Sequence, residues 1–375
     1  MWEKRQVRVV IRREIPEDVL LRDHWNDLVM KMERPEVFYT YEWAMAVQRA
    51  YGSSMLPLLI LTYEGESLVG VAALATSKHQ DKTFFLAHTT ADYCDFVSAP
   101  QTRDQVLVAV FSELERLRLP SFTLTNFPAD SVTSASLQDT SRGHGYAMFS
   151  RPAYQCARIV LGSAEERQAL KQSIAKRKAL RYALKGLSKR GPVKIDSLKS
   201  CEEIALALPR FVGAHVARFE AMGKRSNLAN PQRQTFLSEL TRLLSQNGWI
   251  ALTRLSVGDQ SVAWNYGFRF AGSWFYYQPT FETSLQQYSP GLCLLAKMVE
   301  QACDDDGIDF VDLGLGAEGY KERFANDIRE TLHVTLATSA ASCFKEKFRY
   351  QAATIVKSMP RLESWIRALL RPASI

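Results

Sequence analysis

Residues 249–279 carry three apolar runs, 249–257, 261–270 and 273–279, parted by Val257-Gly258-Asp259-Gln260 and by Ala271-Gly272. Connections that short join only antiparallel neighbours, so the runs form a meander and an all-parallel sheet is excluded. An earlier stretch repeats the pattern. Residues 56–63 and 67–76 flank the turn Glu64-Gly65-Glu66 as a hairpin, and 83–87 and 93–97 follow as strand candidates.

The flanking segments repeat as well. Residues 7–11 read as a first strand, and Pro16 opens a helix whose Val19, Leu20, Leu28, Val29 and Met32 share a face with Trp25. Thr40 is placed to cap a second helix, closed by Gly52. After the hairpin come an amphipathic helix over 101–119, with Val106, Val110, Leu114 and Leu117 on one stripe, and a strand at 121–127. The second half offers helices within 201–216 and 231–247, the meander, a helix over 292–302 and a strand at 308–313. The chain thus reads as two copies of one α/β unit, divided at 1–154 and 155–340, with a basic amphipathic tail at 341–375.

Between the copies, 155–161 reads as a strand and 165–190 as one long helix ended by Gly191-Pro192. Residues 171–190 hold eight basic side chains and no acid, a large part of the +7 net charge. That face suits either solvent or an anionic partner such as CoA phosphates, a lipid headgroup, tRNA or an acidic glycan. Past a strand at 329–338, residues 341–370 read as helix with Phe344, Phe348, Ile355, Trp365 and Leu369 among their apolar positions, suited to a core or to an anionic membrane surface. No apolar run approaches the ~18 residues that span a bilayer, and the Arg-rich start lacks a signal-peptide core, so a cytoplasmic protein, at most peripheral to the inner membrane face, is expected. Cys94, Cys156, Cys201, Cys293, Cys303 and Cys343 have no ligand spacing, so buried thiols and no metal site are expected.

The chemistry-bearing residues cluster in 286–323. Ser289-Pro290-Gly291 opens a helix, where free amides attract anions. The strand at 308–313 ends in Gly314-Leu315-Gly316, and Glu318, Tyr320, Lys321, Glu322 and Arg323 follow. The order from aromatic strand through Tyr288-Ser289-Pro290-Gly291 to Asp312-Leu313-Gly314 and Glu318-Gly319-Tyr320-Lys321 resembles GNAT acyltransferases, narrowly their CelD-like subfamily, and distantly FemAB peptidyltransferases.

The resemblance implies tandem GNAT-like domains, each a mostly antiparallel mixed sheet flanked by helices, with the cofactor loop in the second. It implies an acyl-CoA donor, acetyl-CoA foremost, held through Gln286, Tyr288, Ser289, Gly291 and Lys321. The family loop reads Q/R-x-x-G-x-G/A; Ser289 replaces its first glycine and Pro290 removes an amide. Acyl transfer to an amine requires a positioned thioester, a base for the amine and a proton for the departing thiolate. Asp312 and Glu318 suit the base and Tyr320 the proton donor; an ordinary strand end and charged helix face would look the same. In the first half, Asp92, Tyr93 and Asp95 suit either a substrate cleft or a solvated turn. The function implied is N-acylation of a sugar, lipid or other envelope or polysaccharide precursor. A FemAB-like donor, aminoacyl-tRNA, is the alternative, and a non-catalytic binding protein is the third.

Overall fold

The computed structural model describes residues 7–77, 82–316 and 319–358. The first half runs β1 (Arg8–Arg12), α1 (Val19–Met30), α2 (Tyr41–Tyr51), β2 (Met55–Glu64), β3 (Ser67–Ser77), β4 (Thr83–Phe85), α3 (Arg103–Arg116), β5 (Ser121–Pro128) and α4 (Val132–Gly143). Then come β6 (Ala147–Val160), α5 (Ala164–Lys176) and α6 (Lys178–Ser188). The second half runs β7 (Val193–Leu198), α7 (Cys201–Ala221), α8 (Pro231–Ser245), β8 (Ile250–Val257), β9 (Gln260–Phe270), β10 (Ser273–Phe281), α9 (Pro290–Cys303) and β11 (Phe310–Leu315). β12 (Asp327–Ala337) and α10 (Ala340–Ser358) close it; Trp365 and Leu369 lie outside the described residues.

Local chemistry accounts for most boundaries. Thr40 Oγ1 accepts from the Trp43 amide, as its position at the start of α2 predicts. Ser163 with Glu166 and Ser200 with Glu203 form capping boxes on α5 and α7. The expected single helix over 165–190 is broken at Arg177, whose extended ψ of 109° ends α5 and starts α6. The expected strand at 93–97 is reduced to a bridge between Val71 and Val97. α4 and β7 lie outside the sequence-based expectation, their apolar patterns being short.

Among the described residues the strands form one twelve-stranded sheet in the order β1-β2-β3-β4-β5-β12-β6-β11-β10-β9-β8-β7. It is mostly antiparallel and flanked by helices, as expected. The two halves mirror each other: β1 to β5 and β7 to β11 each follow chain order, and each has its parallel pairing at the same place, β4 with β5 and β10 with β11. The return strands are exchanged. β6 leaves the first half to pair with β11, and β12 leaves the second to pair with β5. β6 and β12 then pair with each other from Ala147 to Arg158, which fuses the sheets, and β6 runs unbroken through residues 154 and 155. Aromatic contacts bind the halves further: Phe38 meets Phe275 at 5.1 Å, and Trp43 meets Phe268 at 5.3 Å and Phe236 at 5.4 Å.

Candidate functional site

Strands β10 and β11 pair only at Ser273–Phe310, Trp274–Val311 and Phe275–Asp312, and then part. A register break in β10 between Phe275 and Gln278 and the left-handed Gly314 (φ 67°) turn the two strands away from each other. At this gap the first half reaches the backbone of the second. Asp92 Oδ2 accepts from the Leu315 amide at 3.4 Å. A Cβ on Gly314 would stand 2.5 Å from that oxygen, so glycine is required here both by conformation and by space.

The two aspartates differ in access. Asp312 is fully enclosed behind the Gly314 turn: Oδ1 accepts from the Gly314 amide at 2.7 Å and Oδ2 from the Tyr93 hydroxyl at 2.9 Å. Burial pushes its carboxyl up, against those two hydrogen bonds. Asp92 lies on the wall of the cleft. Burial and then the like charge of Asp312 push it up to about 7, with the Lys321 ammonium pulling the other way. A carboxyl poised near neutral pH and open to a cleft suits proton transfer.

The cleft has a volume of about 730 Å³ and takes its walls from both halves. Asp92, Tyr320 and Lys321 line it together with His215, Arg218 and Arg233 from α7 and α8. Lys321 is buried and donates to the Leu315 carbonyl at 2.9 Å. His215 stacks on Phe219 with ring centroids 4.6 Å apart, and burial with the Arg218 charge drives it down to about 4, so it is neutral. Arg233 donates to the Tyr277 hydroxyl at 2.5 Å, and that hydroxyl donates to the Thr90 carbonyl.

The other residues expected in the first half are buried and do not line the cleft. Tyr93 is buried against Asp312, with the Arg329 guanidinium 4.3 Å from its ring centre. Asp95 is buried among Arg103, Ser131 and Thr133. Arg329 pairs with buried Glu36 and with Asp130 at 3.1 Å; burial holds Glu36 up at about 7 despite the ion pair. Glu318 lies outside the described residues.

The turn 286–291 stands apart from the cleft, and none of its residues lines it. Ser289 is left-handed (φ 45°), and its carbonyl accepts from the Leu292 and Cys293 amides. With Pro290 lacking an N–H, Gly291 has the free amide of that first turn. Gln286 and Ser289 are exposed. Tyr288 lies against Gly186 of α6, and the Arg190 guanidinium sits 5.4 Å from its ring centre. The basic helix α6 and the turn therefore form one cationic surface. Tyr276 joins it to the cleft, which it lines while donating to the Gly291 carbonyl at 3.5 Å.

Sequence reasoning missed Arg233, Arg218 and His215. Arg233 did leave a signal, because it shares the buried face of α8 with Phe236, Leu237, Leu240 and Leu244. All six cysteines are free, five of them buried, and no group of His, Cys, Asp or Glu among the described residues could hold a metal. No helix among them is long and apolar enough to cross a membrane.

The family model described as an acetyltransferase (GNAT) domain matches residues 175–322. No curated protein matches the chain in sequence. Of solved structures, FemX superposes with a TM-score of 0.61 at 10% identity, over 84% of this chain and 95% of FemX. A conserved protein of unknown function from Bacteroides thetaiotaomicron gives 0.55 at 12% identity, over 88% of this chain and 100% of its own. The C-terminal domain of an Agrobacterium fabrum protein described as a lysylphosphatidylglycerol synthetase gives 0.55 at 11% identity, over 89% and 95%. At these identities the likeness is one of fold.

Proposed function

We propose that the chain is an acyltransferase that acylates an amino group held in the cleft between its two halves, drawing the acyl group from an acyl-CoA, a reading supported by the match of residues 175–322 to the acetyltransferase (GNAT) domain model. The observation that carries the reading is the parting of β10 from β11 where Asp92 meets Gly314 and Leu315. A thioester arm laid along the parted strands would find backbone groups for its carbonyl, and Asp92 would stand on the acceptor side as the base. Tyr320 would return a proton to the thiolate, and the buried Lys321 charge would favour the oxyanion. Asp312 takes a positioning part, holding the Gly314 turn in place. The CoA phosphates would lie outside the cleft, on Gly291, Lys185 and Arg190, with Gln286, Tyr288 and Ser289 around them.

In this reading residues 1–154 close the acceptor side, 155–340 carry the donor, and the tail from 341 serves a surface. The acceptor is a sugar, lipid or other envelope precursor. α10 exposes Phe344, Phe348 and Ile355 beside Lys345, Lys347 and Arg349, which supports a peripheral place at the inner face of the membrane. The cationic surface of α6 also favours a second donor, aminoacyl-tRNA.

The test is isothermal titration with acetyl-CoA, CoA and charged tRNA in parallel, with native mass spectrometry for retained thioester. Binding of the CoA species, lost in Ser289→Asp, is expected. Binding of charged tRNA alone would move the reading to the second donor, and binding of neither would overturn it.

A further inference from the structure

Arg233 is 6% exposed, yet its Nε and Nη1 are buried with no hydrogen-bond partner. Its Nη2 donates to the Tyr277 hydroxyl, the Tyr51 hydroxyl also lies beside the guanidinium, and the guanidinium carbon lies 5.0 Å from the ring centre of Phe236. An arginine cannot shed its charge. A buried cation with two bare donors is costly unless something fills the site. Every other deeply buried arginine here is spoken for: Arg103 by Asp95 and Glu33, Arg329 by Glu36 and Asp130.

Arg233 also lines a second pocket, of about 680 Å³, with Arg225, His88, Asn227, Asn230 and Ser54 among its walls. Among the described residues no Asp or Glu lines this pocket. It adjoins the main cleft, since His88, Thr89, Asn227 and Arg233 line both. One molecule can therefore reach from the Asp92 wall, past Arg233, into a space with cationic and neutral polar walls.

We propose that this pocket is an oxyanion subsite, in which the guanidinium of Arg233, which makes no ion pair among the described residues, binds a phosphate or carboxylate group and Arg225 attracts it from the rim. A guanidinium charge that makes no ion pair draws an oxyanion, and its directional N–H donors hold one more firmly than a lone ammonium. Resting on the reading of the cleft as the acceptor site, this makes the acceptor an anionic molecule, with its negative group in this pocket and its amine at Asp92.

The experiment needs no acyl donor and no turnover, so its outcome is separate from that of the acyl-transfer reading. The full chain is titrated calorimetrically with inorganic pyrophosphate and, in parallel, with citrate, which separates a phosphate source from a carboxylate source. At least one is expected to bind. Arg233→Gln and Arg233→Lys should each weaken it about 10–100-fold, and Arg225→Gln by a few-fold with a shallower salt dependence. Arg142→Gln on α4, which lines neither pocket, should leave it unchanged, and Lys185→Gln reports binding at the Gly291 turn instead. Circular dichroism confirms folding; should Arg233→Gln unfold, the lysine and Arg225 variants decide. Absence of binding by both probes, or binding lost in Lys185→Gln and kept in the folded Arg233 and Arg225 variants, overturns the proposal.

Discussion

Replacing Asp92 by Asn separates a base from a structural anion. Folding holds this carboxyl at about 7 against its ordinary 3.8. A proton bound that much more tightly in the folded chain is worth about 4 kcal/mol at full value. The like charge of Asp312 supplies part of the effect, so about 2–4 kcal/mol is the expected range. The sign follows from the raised value: the contribution is fully present below about pH 4 and is lost as pH rises to about 7. Asp92→Asn carries no such proton and escapes the loss. Its oxygen can still accept from Leu315, so it should exceed the wild type in urea stability at pH 8, with the gap closing towards pH 4. In turnover the order reverses. The wild-type rate should climb through about pH 7 and level off, while the variant loses about 10²–10⁴-fold and shows no such inflection. A variant that is less stable at pH 8 and keeps the wild-type pH profile would show Asp92 to be an anion held by Lys321, and would refute the argument.

Arg329→Met should cost about 3–5 kcal/mol in denaturant unfolding, because it strands buried Glu36, and adding Glu36→Gln should restore much of the loss; a single-variant loss below ~1 kcal/mol would mean the pair does not clamp β12 to the first half. Reversing Lys178, Arg181 and Lys185 to Glu should weaken acyl-CoA binding about tenfold at low salt, with the difference fading near 1 M; an unchanged Kd would leave this face of α6 merely solvated.

Strand and helix identities were largely legible in the sequence, because the forces that set them act over a few residues. Alternation and glycine turns gave the two hairpins, Thr40 marked the start of α2, and Pro290 that of α9. The mirrored order of the halves was legible for the same reason. The exchange of β6 and β12 was not, since either strand could satisfy its backbone within its own half; the contacts that chose between these pairings lie far apart in the chain. The site divided in the same way. Lys321 and Tyr320 stood out beside the Gly314 turn, but which aspartate faces the cleft depended on Asp92 reaching Leu315, 223 positions away. A carboxylate's role follows from what surrounds it, and those surroundings form only when the two halves of the sheet close on each other. Arg233 marks the same boundary: its position on the apolar face of α8 was written in the sequence, while the lack of a partner for its two inner N–H groups was decided only by the packing around it.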